Sequence, residues 1–366
     1  MSQRANSLTG LALQKFKKNF WGVLSLLYIV LCGLAALFAY MIAPDSSENA
    51  NQMHLSIHSQ GPGFTVDILT IPAQVDASQS FFSKWFSGSK NASTEIPVTS
   101  YTISESSITY TQYVGDGVEG MPKTLEIDGV EDYNAFAKAN ISSRTFLLGT
   151  DKYGRDLLSR MLIGARISFS IGFVAVFISL IIGLLMGSLA GYFGGKIDAA
   201  IMWVINVTWS IPTLLLVIAI TLALGKGYWQ VFIAVGLTMW VEVARVVRGQ
   251  VMGVKQMQYV TAARALGYTD GRIIIKHILP NVIAPLIVIS AANFAGAILI
   301  ESGLSFLGIG AQPPTPSWGA MIKDHYSYII LGKPYLALIP GVAIMLLVMA
   351  FMLVGNALRD ALDVKS

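Results

Sequence analysis

The chain has 366 residues, 54% of them hydrophobic and only 13% charged, with a net charge of +4 and one cysteine. Soluble domains carry about 25% charged residues, so this balance excludes an ordinary soluble domain and indicates an integral membrane protein. Basic residues are scattered along loops, which excludes a nucleic-acid footprint, and Cys32 alone, inside an apolar run, excludes a disulfide or a cysteine-based metal site.

Residues 1–20 hold Arg4, Lys15, Lys17 and Lys18 and no acid. Trp21 to Ala43 follows without a charge, about 34 Å as a helix against a hydrocarbon core of about 30 Å. A cleaved signal peptide has a shorter apolar core, and Leu31 before Cys32 spoils a lipoprotein cleavage box. The run is expected to be a retained first span, 21–43, with the basic tail in the cytoplasm.

Residues 44–146 are a different material. Positions 46–146 hold eleven acids against five bases. Met53–Ile57 alternates, Phe64–Ile71 and Ile108–Val114 are rich in strand formers, and Gly61-Pro62-Gly63, Gly115-Asp116-Gly117 and Asp128-Gly129 read as turns. A small, mainly β extracytoplasmic insert is expected. Ser78–Thr94, with Phe81, Phe82, Trp85 and Phe86, reads as a mobile loop touching the membrane or a partner. His54 and His58 share one face of the first predicted strand, but no third ligand completes a metal site, so both are read as solvent-facing.

Gly149–Arg166 places Asp151–Arg155 and Asp156–Arg160 at i,i+4 spacing beside Leu157, Leu158, Met161 and Leu162, which predicts an amphipathic helix on the outer surface. The uncharged run between Arg166 and Lys196 is a second span, with Gly183, Gly187, Gly191, Gly194 and Gly195 as a small-residue packing face. A third span, Ala199–Leu224, is interrupted by Pro212; Tyr228–Ala244 is the fourth, ended by Arg245 and Arg248.

Within the loop 249–281 lies a polar island, Tyr259–Asn281. Ala262, Ala263, Ala265 and Leu266 favour a helix that Gly267 ends. A second short helix carries Arg272, Lys276 and His277 and is stopped by Pro280. Composition alone fits an amphipathic loop on the membrane surface as well as a knob for a partner's socket. Val282–Ser302 is the fifth span, Ser305–Lys333 an outer loop or re-entrant hairpin, and Tyr335–Leu358 the sixth span. A short tail, 359–366, follows. Lysines and arginines gather on the side holding the island and both termini, which makes that side cytoplasmic.

The island's spacing (two alanines, Gly four residues after the second, then Leu279-Pro280) resembles the "EAA" coupling loop of ABC-importer permeases. Further matches are GTDKYGRDLLSRMLIGARISFSIG from Gly149, GYFGGKID from Gly191, ARVVRGQV from Ala244, ESGLSFLGIGAQPPTPSWGAM from Glu301 and GNALRDALD from Gly355. Together the chain resembles the C-type inner-membrane permease of dipeptide/oligopeptide and nickel ABC importers. The resemblance covers most of 147–363; residues 46–146 exceed the family's usual connection, and Thr261 stands where the family usually has Glu.

That resemblance implies an all-α integral membrane protein with six transmembrane helices of the type I importer permease fold, a permease core over 147–358, and the insert between the first two helices. It implies a bacterial inner-membrane subunit, both termini cytoplasmic, moving short peptides by alternating access. Nickel or glutathione-like solutes are the alternatives. Its partners would be a second permease, two ABC ATPases, an extracytoplasmic solute-binding protein and membrane lipid, with no nucleic acid. The coupling residues carried over are Tyr259, Ala262, Ala263, Arg264, Ala265, Leu266, Gly267, His277, Leu279 and Pro280. No G-x-x-x-x-G-K-[ST] occurs, so ATP is not held by a P-loop. The chain is expected to be no enzyme, to carry no metal or cofactor of its own, and to leave ATP and Mg to the ATPases.

Ser290, Asn293, Glu301 and Ser302, in or near the fifth span, are candidates for the translocation path. The bland alternative pairs Glu242 with Arg245 or Arg248 and has Glu301 cap a loop. An ATP-independent channel is the main competing class. An intramembrane hydrolase lacks a mid-span histidine, and a signalling anchor leaves the motif-bearing spans without a purpose.

Overall fold

A computed structural model describes residues 8–72, 79–90, 93–115, 117–118, 120–127, 130 and 132–363. Arg4, Ser78, Asp116, Asp128 and Gly129, on which sequence expectations fall, lie outside the described residues.

The basic N-terminal region forms α1 (Leu8–Lys18), and the first apolar run forms α2 (Phe20–Leu37) and α3 (Ala39–Ile42), broken at Phe38. The chain then builds β1 (Phe64–Ile71), α4 (Phe81–Ser87), β2 (Thr94–Ile103), β3 (Ile108–Gln112), β4 (Pro122–Leu125), α5 (Tyr133–Asn140) and β5 (Ile141–Phe146). The strands make one antiparallel sheet in the order β4-β3-β2-β1-β5, with Asp67 opposite Val98 and Ser143.

After the sheet come α6 (Leu157–Phe193), α7 (Gly195–Ser210), α8 (Thr213–Leu224), α9 (Tyr228–Val254), α10 (Gln258–Ala265) and α11 (Asp270–Ile273). A wide π turn, Ile274–Ile278, joins α11 to α12 (Leu279–Phe306); α13 (Trp318–His325) and α14 (Tyr335–Leu362) complete the chain. Five helices among the described residues are long and apolar enough to span a membrane, or six if α7 and α8, bent by 92°, are one broken span.

Several expectations need correction. Met53–Ile57 is not a strand. Leu55–Ile57 is one 3-10 turn, because the segment is tied backbone to backbone to residues 151–154: His54 N–H donates to Tyr153 O (3.1 Å) and Ser59 N–H to Asp151 O (2.8 Å). His54 is buried, not solvent-facing. Within Ser78–Thr94, expected to be a loop, Phe81–Ser87 forms the short helix α4.

Gly149–Arg166 is not one surface helix. Residues 149–156 form a turn in which Asp151 Oδ1 accepts from Tyr153 N–H and Arg155 N–H (2.8 and 3.0 Å). The helix begins only at Leu157, where Asp156 accepts Ser159 N–H at 2.8 Å as an N-terminal cap. Asp151–Arg155 is an ion pair at 2.6 Å, but Arg160 faces Asp151 at 3.6 Å rather than Asp156. Nor does Pro280 stop a helix. The preceding turn widens so that Leu279 N–H reaches Ile274 O, five residues back, and the helix runs on through the proline.

Two compact units result. The first comprises Met1–Gly33, Ile167–Gln312 and Val342–Ser366, and α9 is its axis. Val231, Phe232 and Val235 pack with Ile171 of α6, Val217 of α8 and Ala297 of α12; Trp240 and Ala244 pack with Ile205 of α7. Lower on α9, Val243, Val247 and Val251 form a third cluster with residues from α6, α10 and α12. Close approach of α6 to α9 explains part of the glycine run. A Cβ on Gly183 would meet Val243 Cβ at 2.5 Å, one on Gly187 would meet Ala244 O at 2.5 Å, and one on Gly191 would meet Arg248 O at 2.8 Å. Gly194 and Gly195 face open space and instead turn the chain between α6 and α7.

The second unit comprises Leu34–Arg166 and Pro313–Gly341. The sheet is covered on both faces. Val66 and Ile68 pack with Ile57, Tyr113 and Phe146, while Leu69, Val98 and Tyr110 pack beneath Phe136 of α5. Trp318 Nε1 donates to Met161 O at 2.9 Å and Lys333 Nζ to Ser59 O at 2.7 Å, fixing the 313–341 segment.

Candidate functional site

The polar island is an ordered knob. Val260 and Ala263, three residues apart on α10, point into the third α9 cluster with Tyr192, Val247, Val251, Ile273, Ile278 and Val282. The opposite face is exposed: Tyr259, Thr261, Ala262, Ala265 and Leu266, the last with 73% of its surface free. Gly267 ends α10 at φ +79°, in the left-handed region, with Tyr268 N–H reaching back to Ala263 O at 3.2 Å.

Of the ten island residues singled out in the sequence, Ala263 alone is buried. Tyr259, Ala262, Arg264, Ala265, Leu266, Gly267 and Pro280 are exposed, and His277 and Leu279 are half-buried. His277 lies flat against Tyr268 (ring centroids 5.8 Å apart), and the Arg272 guanidinium covers the same Tyr268 ring at 4.1 Å.

One residue with no assigned role ties the island to the spans. Tyr192, near the end of α6, donates its hydroxyl to Asp270 Oδ1 at 2.6 Å; Lys255 donates to its backbone carbonyl, and Arg264 sits 5.8 Å from its ring. The stretch GYFGGKID resembled the family, but a lone tyrosine in an apolar run carries no sign of a partner 78 positions away.

The four path candidates all lie on α12. Ser290 Oγ donates to Leu286 O at 2.6 Å, one turn back. Asn293, Glu301 and Ser302 are buried within their own unit. Glu301 accepts from Ser305 Oγ at 2.7 Å, and Ser305 Oγ in turn accepts Ala311 N–H at 3.1 Å, so this carboxylate secures the turn after α12. Glu242 is exposed and lines a small cavity with Thr208 and Thr238. The arginines expected beside it are engaged elsewhere: Arg248 with Asp198 at 2.6 Å, and Arg245 with Asn206 and the Trp209 ring. A larger cavity, about 700 Å³, lies between Val246 and Gln250 of α9, Pro285 and Val288 of α12, and Arg359 of α14.

The second unit has its own polar clusters. Asp151, Arg155 and Arg160 are buried together beside a cavity of about 430 Å³ that Tyr153, Thr315 and Asp324 also line. In the sheet, Glu95 takes two hydrogen bonds from Arg144 (2.7 and 2.8 Å) and one contact with His54 Nε2 (3.2 Å). Burial alone would raise the Glu95 carboxyl, but the His54 and Arg144 contacts outweigh it and hold the group at about 2. Burial lowers His325, whose Nδ1 faces Met321 O at 2.7 Å. Among the described residues no group of three or more His, Cys, Asp or Glu side chains could hold a metal ion.

Residues 160–365 match the family described as binding-protein-dependent transport system inner membrane component, and residues 7–62 match the N-terminal TM domain of oligopeptide transport permease C. The dipeptide transport system permease protein DppC of Alkalihalophilus pseudofirmus is 40% identical over 63% of this chain and 78% of its own length. The glutathione transport system permease protein GsiD of Pectobacterium atrosepticum is 40% identical over 64% of this chain and 78% of its own. Among solved structures, the MetNI methionine ABC transporter in an inward-facing form is similar at 19% identity and a TM-score of 0.45, over 55% of this chain and 95% of that chain.

Proposed function

Because the chain belongs to the family of binding-protein-dependent transport system inner membrane components, we propose that it is the C-type permease subunit of an ATP-driven importer of short peptides. Its partners are a second permease, two ABC ATPases that hold ATP and Mg, and an extracytoplasmic solute-binding protein. The chain is multi-pass, with both termini and the island on the cytoplasmic side of a bacterial inner membrane and the β-sheet insert outside. It binds no cofactor of its own and catalyses no reaction itself.

The observation that carries this reading is the two-faced α10. Its outer face offers small side chains, Ala262 and Ala265, flanked by Tyr259 and Leu266, which lets another backbone approach closely. Its inner face is packed against α6, α9 and α12 through one continuous apolar cluster. Close-packed interiors transmit displacement rather than absorb it. A push on α10 by closing ATPases therefore moves the ends of three membrane helices together, and the Tyr192–Asp270 bond holds α11 to the same body. Ser290, Asn293 and Ser302 are the polar groups on α12 proposed to serve the translocation path, while Glu301 secures its outer turn.

The test is co-purification of the ATPase with the tagged chain in detergent, wild type beside Ala262→Arg. ATPase bound by the wild type and lost in the variant supports the coupling face. A second permease that co-purifies without ATPase in either sample makes an ATP-independent channel the better reading. Glutathione, a short γ-linked peptide, is a second solute reading favoured by the GsiD relative. Competition between labelled dialanine and unlabelled glutathione in whole-cell uptake separates the two.

A further inference from the structure

The short helix α4 inside the insert carries the sequence FFSKWFS. Three of its four aromatic side chains are largely uncovered: Phe81, Phe82 and Phe86 are 65%, 70% and 71% exposed. Three exposed phenylalanine rings on one short helix would be a large unfavourable exposure in water for a polar, acidic insert.

The fourth aromatic explains where this helix is held. At Phe38 the first apolar run breaks. Met41 N–H bonds to Phe38 O, so the Leu37 carbonyl loses the donor that a continuous helix would give it. Trp85 Nε1 donates to that carbonyl at 3.1 Å, and its ring stacks on Phe38 with centroids 6.1 Å apart. At the next residue, in the same last turn of α4, Arg166 donates to Phe86 O at 2.7 Å and lies over the rings of Phe86 and Tyr40, 5.0 Å from each. In hydrocarbon every backbone carbonyl needs a partner inside the protein, so a span can break at Phe38 only if something supplies one. Here the insert supplies it.

We propose that α4 is an interfacial anchor, with Phe81, Phe82 and Phe86 seated in the lipid boundary beside the first span. The occupant is lipid because the exposed rings continue an apolar surface already committed to the membrane: Leu34, Leu37, Met41 and Ile42 are all exposed along the same run. Leu37 lies six residues before the end of that run at Ala43, close to the membrane–water boundary where aromatic side chains and interfacial helices sit. Lys84, exposed on the same helix, extends toward headgroups. The insert is thereby fixed to the bilayer surface instead of swinging on its two connections.

The test is spin-label accessibility in the full chain, reconstituted in phosphatidylcholine–phosphatidylglycerol liposomes on a Cys32→Ser background. Labels are placed at Phe82→Cys and, as a solvent reference, at Met121→Cys, which is 84% exposed. The expected result is a ratio of oxygen to nickel-chelate accessibility several-fold higher at 82 than at 121. Equal ratios put α4 in water and overturn the proposal. Shielding of position 82 from both reagents puts it against protein and overturns it as well. Trp85→Phe keeps the stack on Phe38 but removes the indole donor, so the ratio at 82 should fall toward that at 121. No change in that variant overturns the Leu37 carbonyl as the tether.

Discussion

At the scale of single residues, the island shows what spacing conveys and what it withholds. The pair Ala262-Ala263 was legible as a helix signal, but which alanine faces outward depends on helical phase, set by Val260 packing on α9 at long range. Ala263→Arg should therefore act as a core mutation: a charge without a partner in an apolar cluster costs several kcal/mol, and thermal stability in detergent should drop sharply. Ala262→Arg should leave that stability unchanged and lose only the ATPase. Gly267→Val, at φ +79°, should cost about 1–2 kcal/mol of local strain and lower uptake without changing membrane insertion. Normal uptake by that variant would remove the island from the coupling role.

Glu95 gives a residue-scale prediction of another kind. Its carboxyl is depressed from 4.5 to about 2 in the fold, so the contribution, about 3 kcal/mol at 1.36 kcal/mol per unit, is present above pH 4.5. It is lost as pH falls toward 2. Strand amides of β1 and β2 should lose hydrogen-exchange protection over that window, after correction for intrinsic rates. Glu95→Gln should flatten the dependence, and an unchanged pH profile in that variant would assign the acid sensitivity elsewhere. The sequence pointed to His54 only as half of an incomplete metal pair, because its real partner stands 41 positions away across a strand pairing that no local pattern encodes.

At the scale of elements, apolar run length located nearly every membrane helix, since about 20 apolar residues have few other uses. What it could not resolve was where helices break or continue. Pro212 marks a bend of 92° between α7 and α8, whereas Pro280 marks none, because the π turn before it absorbs the missing donor. The glycine run was read as one packing face, yet it divides by function: Gly183, Gly187 and Gly191 admit α9, and Gly194 and Gly195 make the turn. Gly187→Leu should thus lower the thermal midpoint of the purified chain by several degrees, through a clash with the Ala244 carbonyl and Val247. Gly303→Ala, in α12 with open space around it, should leave the midpoint unchanged or raise it slightly, as expected of helix propensity alone. Equal loss in both would mean that close approach of α6 to α9 is not what the glycines provide.

At the scale of the whole molecule, the division between family core and insert does not fall where composition changed. Acidity marked 44–146 as foreign, but residues 45–60 are bonded into the 149–156 turn, with Arg155 reaching Asn51 Oδ1 at 3.0 Å and Thr150 N–H reaching Gln60 O at 3.0 Å. The matched N-terminal family segment likewise extends to residue 62. The added piece is the sheet itself, and its two ends meet: Gly63 N–H donates to Phe146 O at 2.9 Å, and Phe64 pairs with Phe146 in the β1–β5 ladder. A short glycine–serine linker can therefore replace 64–146 without stretching either flank, at a closure cost that grows only slowly with linker length. The excised chain loses α4 and with it the Trp85 bond to the Leu37 carbonyl, but it should still insert in the membrane and bind its ATPase, because α10 and the α9 clusters lie entirely in the other unit. If the sheet docks the solute-binding protein or guards the pore mouth, peptide uptake should fall even though ATPase co-purification is intact. Full uptake by the excised chain would leave the insert no part in transport, and its constraint would then lie in the contact of α4 with the bilayer.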